Sequence, residues 1–431
     1  MKKLKRVCLY IETLGAGGAE RQLVTLAKTL NSGGLEILVL CDRLDKEHGH
    51  YLPILTQAGI PTEVVSSQEN LELGLTFIQK KPERCASLAE LPLDHAAVLC
   101  LVGCLLRVSP DILHCYLDKS NCLGGCAALC AGVPGILLSA RNTIPANLDY
   151  YAELAVWAQP VYKFLLQHPQ VMLEANSSAG ARDYADWLHI AYDHVAVTPN
   201  GLDIEEFHRQ QTLASAAIRS SLGISRDAKL VVWVGKDTAV KRPLDMLAVA
   251  AHVCKKLPQA RFAVLGNGMD SAKFARTMRR HALDNAVLFF LDSAIPKAFR
   301  CRHALDDAVL FLGRREDALS LISASDALLL TSSIEGFPNA IMEAMYAQLP
   351  VVATEVGGIP DLVTHGTHGF LHQVGDVGGM AHSLLRVLCN PVQAKKMGQL
   401  GADRVRNEFS ATRLGKRVKT IYSMLLQSMP A

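Results

Sequence analysis

The sequence lacks an apolar run long enough to cross a membrane. The most apolar stretch, AAVLCLVGCLL at residues 96–106, has 11 residues, whereas a spanning helix needs about 20. The basic start MKKLKR leads into VCLYIETL, which contains a glutamate and no small-residue cleavage pattern, so it is not typical of a signal peptide. We therefore expect a cytoplasmic protein, with MKKLKR leaving open a peripheral contact with the inner membrane.

A charge excess and a metal-binding cysteine pattern are also lacking. The 44 Lys and Arg residues against 41 Asp and Glu residues give a net charge of +3, which does not indicate a nucleic-acid-binding protein. The 12 cysteines contain no C-x-x-C pair, and Cys122, Cys126 and Cys130 recur every four residues, as on one buried helix face. We interpret the cysteines as small reduced hydrophobes and predict no metal site.

What the sequence does contain is an alternation of strand-like and helical patterns, in a chain of 431 residues that is too long for one core. This alternation predicts βαβ units with parallel sheets. We expect an N-terminal Rossmann-like domain at residues 1–199, mostly helical from 144 to 195, and a second such domain at 200–408. Residues 409–431 are predicted to form a C-terminal helix that packs back on the first domain. The helix after KLVVWVG (229–235) is predicted at about 243–257.

Open α/β sheets bind ligands at the carboxyl ends of their strands, so the loops that follow strands are the candidate sites. The first, GAGGAE (15–20), opens a helix, and Gly17 and Gly18 allow backbone amides to approach an anion. The alternative is a dinucleotide site with Asp42 as the ribose-binding acid. However, Glu20 stands where the G-x-G-x-x-G pattern needs its third glycine.

Two further loops follow predicted strands of the second half. In VGKDTAVKRP (234–243), Lys236 and Lys241 are suited to a diphosphate, whose developing negative charge they would neutralise. The alternative is a pair of solvated lysines. In LGNGMD (265–270), Gly266 and Gly268 allow either a close ligand approach or an ordinary turn.

The stretch IEGFPNAIME (334–343) carries two glutamates, Glu335 before a predicted helix and Glu343 within it. Pro338 and Asn339 are typical helix-start residues, with Asn339 expected as the cap. Carboxylates accept hydrogen bonds from hydroxyl groups, and helix N-termini attract anions. A solvated helix with two acids is the alternative, which the apolar neighbours Ala340, Ile341, Ala344 and Met345 disfavour. ATEVGGIPDLV (353–363) is expected to lie beside this stretch.

Together these motifs resemble the retaining glycosyltransferases of family 4, which have the GT-B fold. The resemblance covers nearly the whole chain, from GGAERQLVTLA through VTPNGLDIEEF and LGNG to SSIEGFPNAIMEAM and VATEVGGIPDLV. It implies an α/β protein with two Rossmann-like, doubly wound parallel-sheet domains facing a central cleft. It also implies metal-independent, retaining transfer of a sugar from a UDP- or GDP-sugar to a hydroxyl acceptor, without a cofactor. The expected setting is cell-surface polysaccharide, lipopolysaccharide or glycolipid synthesis, with a saccharide or lipid-linked acceptor.

The resemblance also implies roles for individual residues. Lys236 and Lys241 would contact the donor diphosphate and Glu335 the transferred sugar, and these three are the catalytic candidates. Glu343 would bind the ribose. The other donor-binding candidates are Gly17, Gly18, Gly266, Gly268, Gly336, Phe337, Pro338, Asn339 and Ala340. Acceptor-side candidates are Arg141, Asn142 and His114, the last of which is alternatively a satisfied, partly buried histidine.

One segment departs from the family pattern. RHALDNAVLFF (280–290) is nearly repeated as RHALDDAVLFL (302–312), which we interpret as a local tandem duplication whose first copy forms an insertion near the nucleobase side. Three alternatives to a glycosyltransferase stay open at this point. They are another GT-B chemistry such as a phosphorylase or epimerase, a nicotinamide-dependent oxidoreductase, and a non-catalytic nucleotide-sugar-binding protein.

Overall fold

The computed structural model describes residues 4–88, 90–147, 152–211, 215–266, 268 and 308–427. Its internal contacts divide the chain into two compact units. Unit 1 comprises Met1–Gly201 with Ser410–Ala431, and unit 2 comprises Leu202–Phe409. The first crossing between them falls two residues beyond the boundary expected after residue 199.

Unit 1 is built on a seven-stranded sheet in the order β3-β2-β1-β4-β5-β6-β7, in which all neighbouring strands pair in parallel. Every residue of β4 and β5 is buried, as expected where helices cover both faces of a parallel sheet. The strands are β1 (Arg6–Thr13), β2 (Glu36–Arg43), β3 (Thr62–Val64), β4 (Ile112–Tyr116), β5 (Gly135–Ala140), β6 (Val171–Ala175) and β7 (Val195–Val197).

The first helix of unit 1 buries regularly spaced apolar residues against β1 and β2. In the first helix the predicted face is confirmed, since Leu23, Leu26, Ala27 and Leu30 have no exposed surface. The helices are α1 (Gly18–Ser32), α2 (Leu52–Gln57), α3 (Gln68–Lys80), α4 (His95–Val108), α5 (Asp118–Ala131), α6 (Ala152–Leu165) and α7 (Ser178–Leu188). Within the described residues, no helix is both long and apolar enough to span a bilayer.

The expectation that residues 144–195 are mostly helical agrees with α6 and α7 but omits a strand. Between α6 and α7 the chain forms β6, which extends the sheet next to β5. Its sequence, VMLEA, is a short, mostly apolar stretch that contains Glu174, and periodicity does not separate such a stretch from a buried helix segment.

Unit 2 has a six-stranded parallel sheet in the order β10-β9-β8-β11-β12-β13. Its strands are β8 (Lys229–Val234), β9 (Ala260–Leu265), β10 (Val309–Gly313), β11 (Ala327–Leu330), β12 (Val351–Thr354) and β13 (Gly369–His372). Its described helices are α8 (Ile204–Gln210), α9 (Ser215–Ser221), α10 (Pro243–Lys256), α11 (Ala318–Ser323), α12 (Asn339–Tyr346), α13 (Ile359–Leu362), α14 (Val377–Cys389) and α15 (Pro391–Glu408). The helix predicted at about 243–257 is therefore confirmed as α10.

The last helix, α16 (Ala411–Gln427), belongs to unit 1 and packs against α1 and β5. It buries one face, formed by Leu414, Val418, Ile421, Tyr422 and Leu425. The spacing of these residues is that of an amphipathic helix.

The described cysteines largely follow the predicted pattern of small buried hydrophobes. Cys85 and Cys130 lie side by side, with their Cα atoms 5.5 Å apart. The other described cysteines are free thiols, all buried except Cys389. Cys122 and Cys126 are fully buried on one face of α5, as the four-residue spacing predicted.

Candidate functional site

The strand order of unit 2 marks one edge of its sheet as a ligand site. Counted along the unit, the order is 3-2-1-4-5-6, and the direction of winding reverses between β8 and β11. Doubly wound sheets bind ligands in the crevice at the carboxyl ends of the two strands at such a reversal. Lys236 and Lys241 lie in the loop after β8, and Glu335 lies in the loop after β11.

The structure brings Lys241 and Glu335 into direct contact. Lys241 Nζ lies 2.5 Å from Glu335 Oε1, and the two side chains are 26% and 9% exposed. Ser332 Oγ donates a second hydrogen bond, of 2.6 Å, to the same oxygen. Both donors therefore converge on Oε1, and no hydrogen bond from the described residues reaches Oε2. The sequence patterns did not single out Ser332, because nothing in its spacing shows that it turns back to Glu335.

The glycine turn after β9 lies against the loop that carries Lys236. Gly235 donates its N–H to Leu265 O at 2.9 Å, and a Cβ on Gly266 would overlap the carbonyl of Gly235. Gly266 has φ +137°, which side-chain-bearing residues rarely adopt. Gly268 also lies close, because its Cβ would stand 3.0 Å from Asp237 Cβ. Lys236 itself is exposed.

The N-cap of the helix after Glu335 lies one residue earlier than expected. Pro338 occupies the N-cap position with extended backbone, no side chain caps the helix, and Asn339 is the first helical residue. Asn339 is therefore not the cap. Phe337 is 4% exposed and its ring packs on Phe409 at 5.4 Å between centroids, so only its backbone is available to a ligand. Glu343 lies in the second turn and is 5% exposed.

The turn after β12 touches the backbone of the Glu335 loop, as expected for ATEVGGIPDLV. Gly358 donates its N–H to Gly336 O at 2.8 Å. Gly357 has φ +52°, and a Cβ there would overlap the carbonyl oxygen of Glu335. Strand ends β8, β9, β11 and β12 thus contribute to one continuous edge of unit 2.

In unit 1 the glycine loop also lies at the reversal of the sheet, between β1 and β4. Gly17 is the N-cap residue of α1 and Gly18 its first residue. The carboxylate of Glu20 lies over this N-terminus, where it would overlap a Cβ on Gly17. An external anion at this helix end must therefore displace a carboxylate of the chain itself.

Comparison with known proteins now decides the family. The model described as Glycosyltransferase Family 4 matches residues 16–206, and the model described as Glycosyl transferases group 1 matches residues 228–390. The chain belongs to glycosyltransferase family 4.

Relatives of this family-4 glycosyltransferase align over most of its length. It is 26% identical to N-acetyl-alpha-D-glucosaminyl L-malate synthase of Bacillus anthracis, over 88% of this chain and 91% of the relative. It is 24% identical to UDP-Gal:alpha-D-GlcNAc-diphosphoundecaprenol alpha-1,3-galactosyltransferase of Escherichia coli, over 76% and 79%. The fold matches Anabaena HepE in complex with UDP-glucose, with a TM-score of 0.71, 20% identity and coverage of 97% and 99%. The predicted GT-B class with two Rossmann-like domains is confirmed, and the chain is a glycosyltransferase acting on nucleotide sugars.

The oxidoreductase alternative is not favoured by these matches, nor by the surroundings of Asp42 in the glycosyltransferase. The Tyr10 hydroxyl donates a hydrogen bond of 2.8 Å to Asp42 Oδ1. Burial raises the pKa of Asp42, against the opposing effects of Tyr10 and Lys119. One carboxylate oxygen of Asp42 is therefore engaged by Tyr10 within unit 1.

Two of the three acceptor-side candidates of the glycosyltransferase are buried. His114 has no exposed surface, with Nδ1 2.8 Å from Tyr422 Oη and Nε2 3.2 Å from Glu174 Oε1. The Arg141 side chain is 1% exposed, pairs with Glu174 and stacks on the ring of Tyr116. The expectation that Arg141 reaches a ligand is corrected, because Glu174 lies on the overlooked strand β6 and binds the guanidinium.

Asn142 is the half-buried member of the acceptor-side trio, and its Oδ1 accepts the backbone N–H of Thr143 at 3.0 Å. The junction residues have structural partners. Arg141 Nη1 donates to Asn200 Oδ1 at 3.5 Å, and the Gln22 amide exchanges two hydrogen bonds with the backbone of Gly201. These contacts tie the end of the first chain segment of unit 1 to β5 and α1.

The buried network of unit 1 shifts two pKa values. Burial alone would raise the pKa of Glu174, but Arg141, His114 and Ser139 outweigh it and lower that pKa to about 2. Burial lowers the pKa of His114, partly offset by Glu174. The native state therefore holds an ionised glutamate and a neutral histidine beside each other at neutral pH.

The two remaining predictions concern the tandem repeat and the metal site, and the structure covers the repeat only in part. Residues 280–290 and 302–307 lie outside the described residues, and the end of the second repeat copy forms most of β10. Among the described residues, no group of three or more His, Cys, Asp or Glu side chains is arranged to hold a metal ion.

Proposed function

We propose that this protein is a retaining, metal-independent hexosyltransferase that moves a sugar from a UDP- or GDP-sugar to a hydroxyl acceptor. The acceptor is a saccharide or lipid-linked saccharide of cell-surface polysaccharide, lipopolysaccharide or glycolipid synthesis. The observation that carries the proposal is the contact between Lys241 and Glu335 at the reversal of the unit 2 sheet. Similar proteins support the donor class, since one is named as a UDP-Gal galactosyltransferase and another has a structure in complex with UDP-glucose.

In this proposal the two lysines after β8 bind the donor diphosphate. Lys236 is exposed and Lys241 half-buried, so both ammonium groups are accessible to a ligand. Their positive charge stabilises the diphosphate as it leaves, which is the task that a metal ion performs in other transferases. The backbone of residues 336–340 and the turn with Gly266 and Gly268 complete the donor site.

The two glutamates bind hydroxyl groups of the donor. Glu335 Oε1 already accepts hydrogen bonds from Lys241 and Ser332, so Oε2 is the oxygen proposed to accept a hydroxyl of the transferred sugar. Glu343 is proposed to accept the ribose hydroxyls. In both cases the hydroxyl group donates and the carboxylate accepts.

In the proposed chemistry, the acceptor hydroxyl attacks the anomeric carbon from the same face from which the diphosphate leaves. The bond from the anomeric carbon to the phosphate oxygen breaks, and the acceptor oxygen forms its bond on the same face. The acceptor proton passes to a diphosphate oxygen, so no enzyme base is needed. The relatives' names support this outcome by specifying α products, because an α product from an α-linked nucleotide sugar is formed with retention.

The proposed location is the cytoplasm, with the basic start MKKLKR in peripheral contact with the inner membrane. Flotation with vesicles of anionic lipid tests the contact. Binding that disappears when the first six residues are made neutral supports it, and no flotation of the unmodified protein contradicts it.

A donor screen tests the proposed function. Nucleotide release is measured with UDP-glucose, UDP-galactose, UDP-N-acetylglucosamine and GDP-mannose, each with and without saccharide acceptors. We expect turnover with one donor, and about a 100-fold lower rate for Glu335→Gln because it loses the charge facing the sugar and Lys241. Glu206→Gln is the control, since Glu206 is also an ion-paired glutamate of unit 2, on α8.

The screen also separates the alternatives. Donor binding without release by the unmodified protein would indicate a non-catalytic nucleotide-sugar-binding protein. An undiminished rate for Glu335→Gln would contradict the assigned site. Response to none of the nucleotides would contradict the donor class.

A further inference from the structure

The loop that carries Lys241 has an irregular backbone immediately before α10. Ala239–Lys241 forms a 3₁₀ turn, and Arg242 follows in the left-handed region with φ +47° and ψ 58°. Pro243 then opens α10. A non-glycine residue in this conformation persists only where the surroundings hold it in place.

Three consecutive hydroxyl residues after β11 supply part of that support, beside Asp245, which pairs with the Arg242 side chain. We call Thr331, Ser332 and Ser333 the hydroxyl clamp. Thr331 Oγ1 lies 3.0 Å from Lys241 O and 3.1 Å from Arg242 O, so its hydroxyl donates to either carbonyl. Ser333 donates its N–H to Val240 O at 2.7 Å. The hydroxyl clamp thus binds the carbonyl groups of residues 240, 241 and 242.

The same segment also holds the carboxylate that Lys241 contacts. Ser332 Oγ donates to Glu335 Oε1 at 2.6 Å, and Thr354 Oγ1 donates to Ser332 O at 2.6 Å. The main chain of Lys241 and the side chain of Glu335 are therefore fixed by neighbouring residues of one strand end. The ion pair therefore joins the Lys241 ammonium group and the Glu335 carboxylate, and the hydroxyl clamp makes separate contacts with each of these two residues.

Trp233 orients the first hydroxyl of the clamp, that of Thr331. Its indole Nε1–H donates to Thr331 Oγ1 at 3.1 Å, and both side chains are fully buried. Because Oγ1 accepts this hydrogen bond, the hydroxyl proton is directed to the carbonyls of Lys241 and Arg242. Buried polar groups without partners are costly, which keeps this chain of hydrogen bonds ordered.

We propose that Thr331 and Trp233 are positioning residues, which hold Lys241 where its ammonium group meets the donor diphosphate and the Glu335 carboxylate. The proposal rests on the proposed function, which gives Lys241 its ligand. Neither residue touches the donor. Each acts through the backbone of Lys241, and a small displacement of a binding group is enough to lower affinity and rate.

Paired nucleotide and nucleoside binding tests the proposal. Calorimetric titrations with UDP and with uridine are compared, with GDP and guanosine in parallel. Lys241→Ala is expected to weaken nucleotide binding at least tenfold and to leave nucleoside binding within twofold. Thr331→Val removes the hydroxyl at nearly constant shape. We expect it to weaken nucleotide binding about fivefold, again without changing nucleoside binding, and Thr331→Ser to restore affinity.

Three further variants make the test specific. Ser325→Ala is the control, because Ser325 is also a buried hydroxyl of unit 2 that donates to a backbone carbonyl, that of Leu321. It is expected to change neither affinity. In the double variant with Lys241→Ala, Thr331→Val is expected to add no further loss, since the hydroxyl acts only through Lys241. Should Thr331→Val not fold, Trp233→Phe decides, with an expected threefold loss for the nucleotide alone.

The outcomes separate this inference from the proposed function. Equal weakening of nucleotide and nucleoside by Thr331→Val would show a general structural role and overturn the inference. An additive loss in the double variant would overturn it too, as would unchanged nucleotide binding by a folded Thr331→Val. If Lys241→Ala itself leaves nucleotide binding unchanged, the proposed function of Lys241 fails instead.

Discussion

At the scale of single residues, the backbone around Glu335 leaves no room for added atoms. Gly357 has φ +52°, and the carbonyl group of Glu335 occupies the position that a Cβ on Gly357 would take. Gly366 has φ +78° and no atom within 4 Å of that position. The two glycines therefore separate the effect of backbone conformation from the effect of contact with the site.

We predict that Gly357→Ala lowers donor turnover at least tenfold, because the new methyl group displaces the Glu335 carbonyl and with it the carboxylate. Gly366→Ala is expected to cost about 1 kcal/mol of unfolding free energy for its backbone conformation and to keep full turnover. Nucleotide release and thermal unfolding measure both variants. Equal turnover in the two would show that the contact with Glu335 is unimportant.

The residues that could be predicted from the sequence are those whose role is visible in local spacing. Lys241 and Glu335 stand in motifs at strand ends, and the structure brings them together. Thr331 and Trp233 were not predicted, because their hydrogen bonds join segments up to 98 residues apart. A threonine or tryptophan in a strand pattern carries no signal of such a partner.

At the scale of elements, four segments of unit 1 meet at one buried network. His114 lies on β4, Arg141 directly after β5, Glu174 on β6 and Tyr422 on α16. The network includes the 2.8 Å contact of His114 with Tyr422 and the pairing of Arg141 with Glu174. It joins the last helix of the chain to three adjacent strands.

This network predicts a loss of stability in acid with two stages. His114 has a lowered pKa when folded, so the unfolded state takes up a proton first as the pH falls through 6.5, and stability decreases. Glu174 has a folded pKa of about 2 against 4.5 when unfolded. Its contribution is therefore complete above pH 4.5 and is lost between pH 4.5 and 2.

Thermal unfolding of the His114→Gln variant between pH 7 and 4.5 measures the first stage. We expect its unfolding free energy to fall less steeply than that of the unmodified protein, by up to about 1.4 kcal/mol per pH unit for one proton. His95→Gln changes an exposed histidine at the start of α4 and should reproduce the original profile. A His114→Gln profile with the original slope would contradict the assignment.

Elements with strong periodicity or clear end signals were predicted well, and short buried strands were not. Pro243 and the apolar spacing after it located α10, which ends at Lys256. The five residues of β6 and the three of β3 carry too little pattern to separate strand from helix or loop. Missing β6 had a direct consequence, because Glu174 was not available as a partner for Arg141.

At the scale of the whole molecule, the two units repeat one architecture. Each contains strands in the order 3-2-1-4-5-6, with β7 added in unit 1, and a glycine-bearing loop follows the first strand. The alternation of patterns along the sequence was enough to predict this fold class. It did not specify the strand order, since order depends on contacts between segments far apart in the chain.

The central claim is that the lysine at the reversal of the unit 2 sheet serves the nucleotide-sugar donor. Lys229 is a matched control, because it lies at the opposite end of β8 and also faces a carboxylate, that of Asp326, at 3.7 Å. Both lysines are therefore partly exposed, carboxylate-facing residues of the same unit. Of these two lysines, Lys241 is the one at the carboxyl edge of the sheet.

The most direct measurement is nucleotide release from the donor selected by the screen, with Lys241→Ala and Lys229→Ala compared side by side. We predict at least a 100-fold lower rate for Lys241→Ala, because a charge that stabilises the leaving diphosphate is removed, and a rate within twofold of the unmodified protein for Lys229→Ala. Equal rates for the two variants would contradict the account.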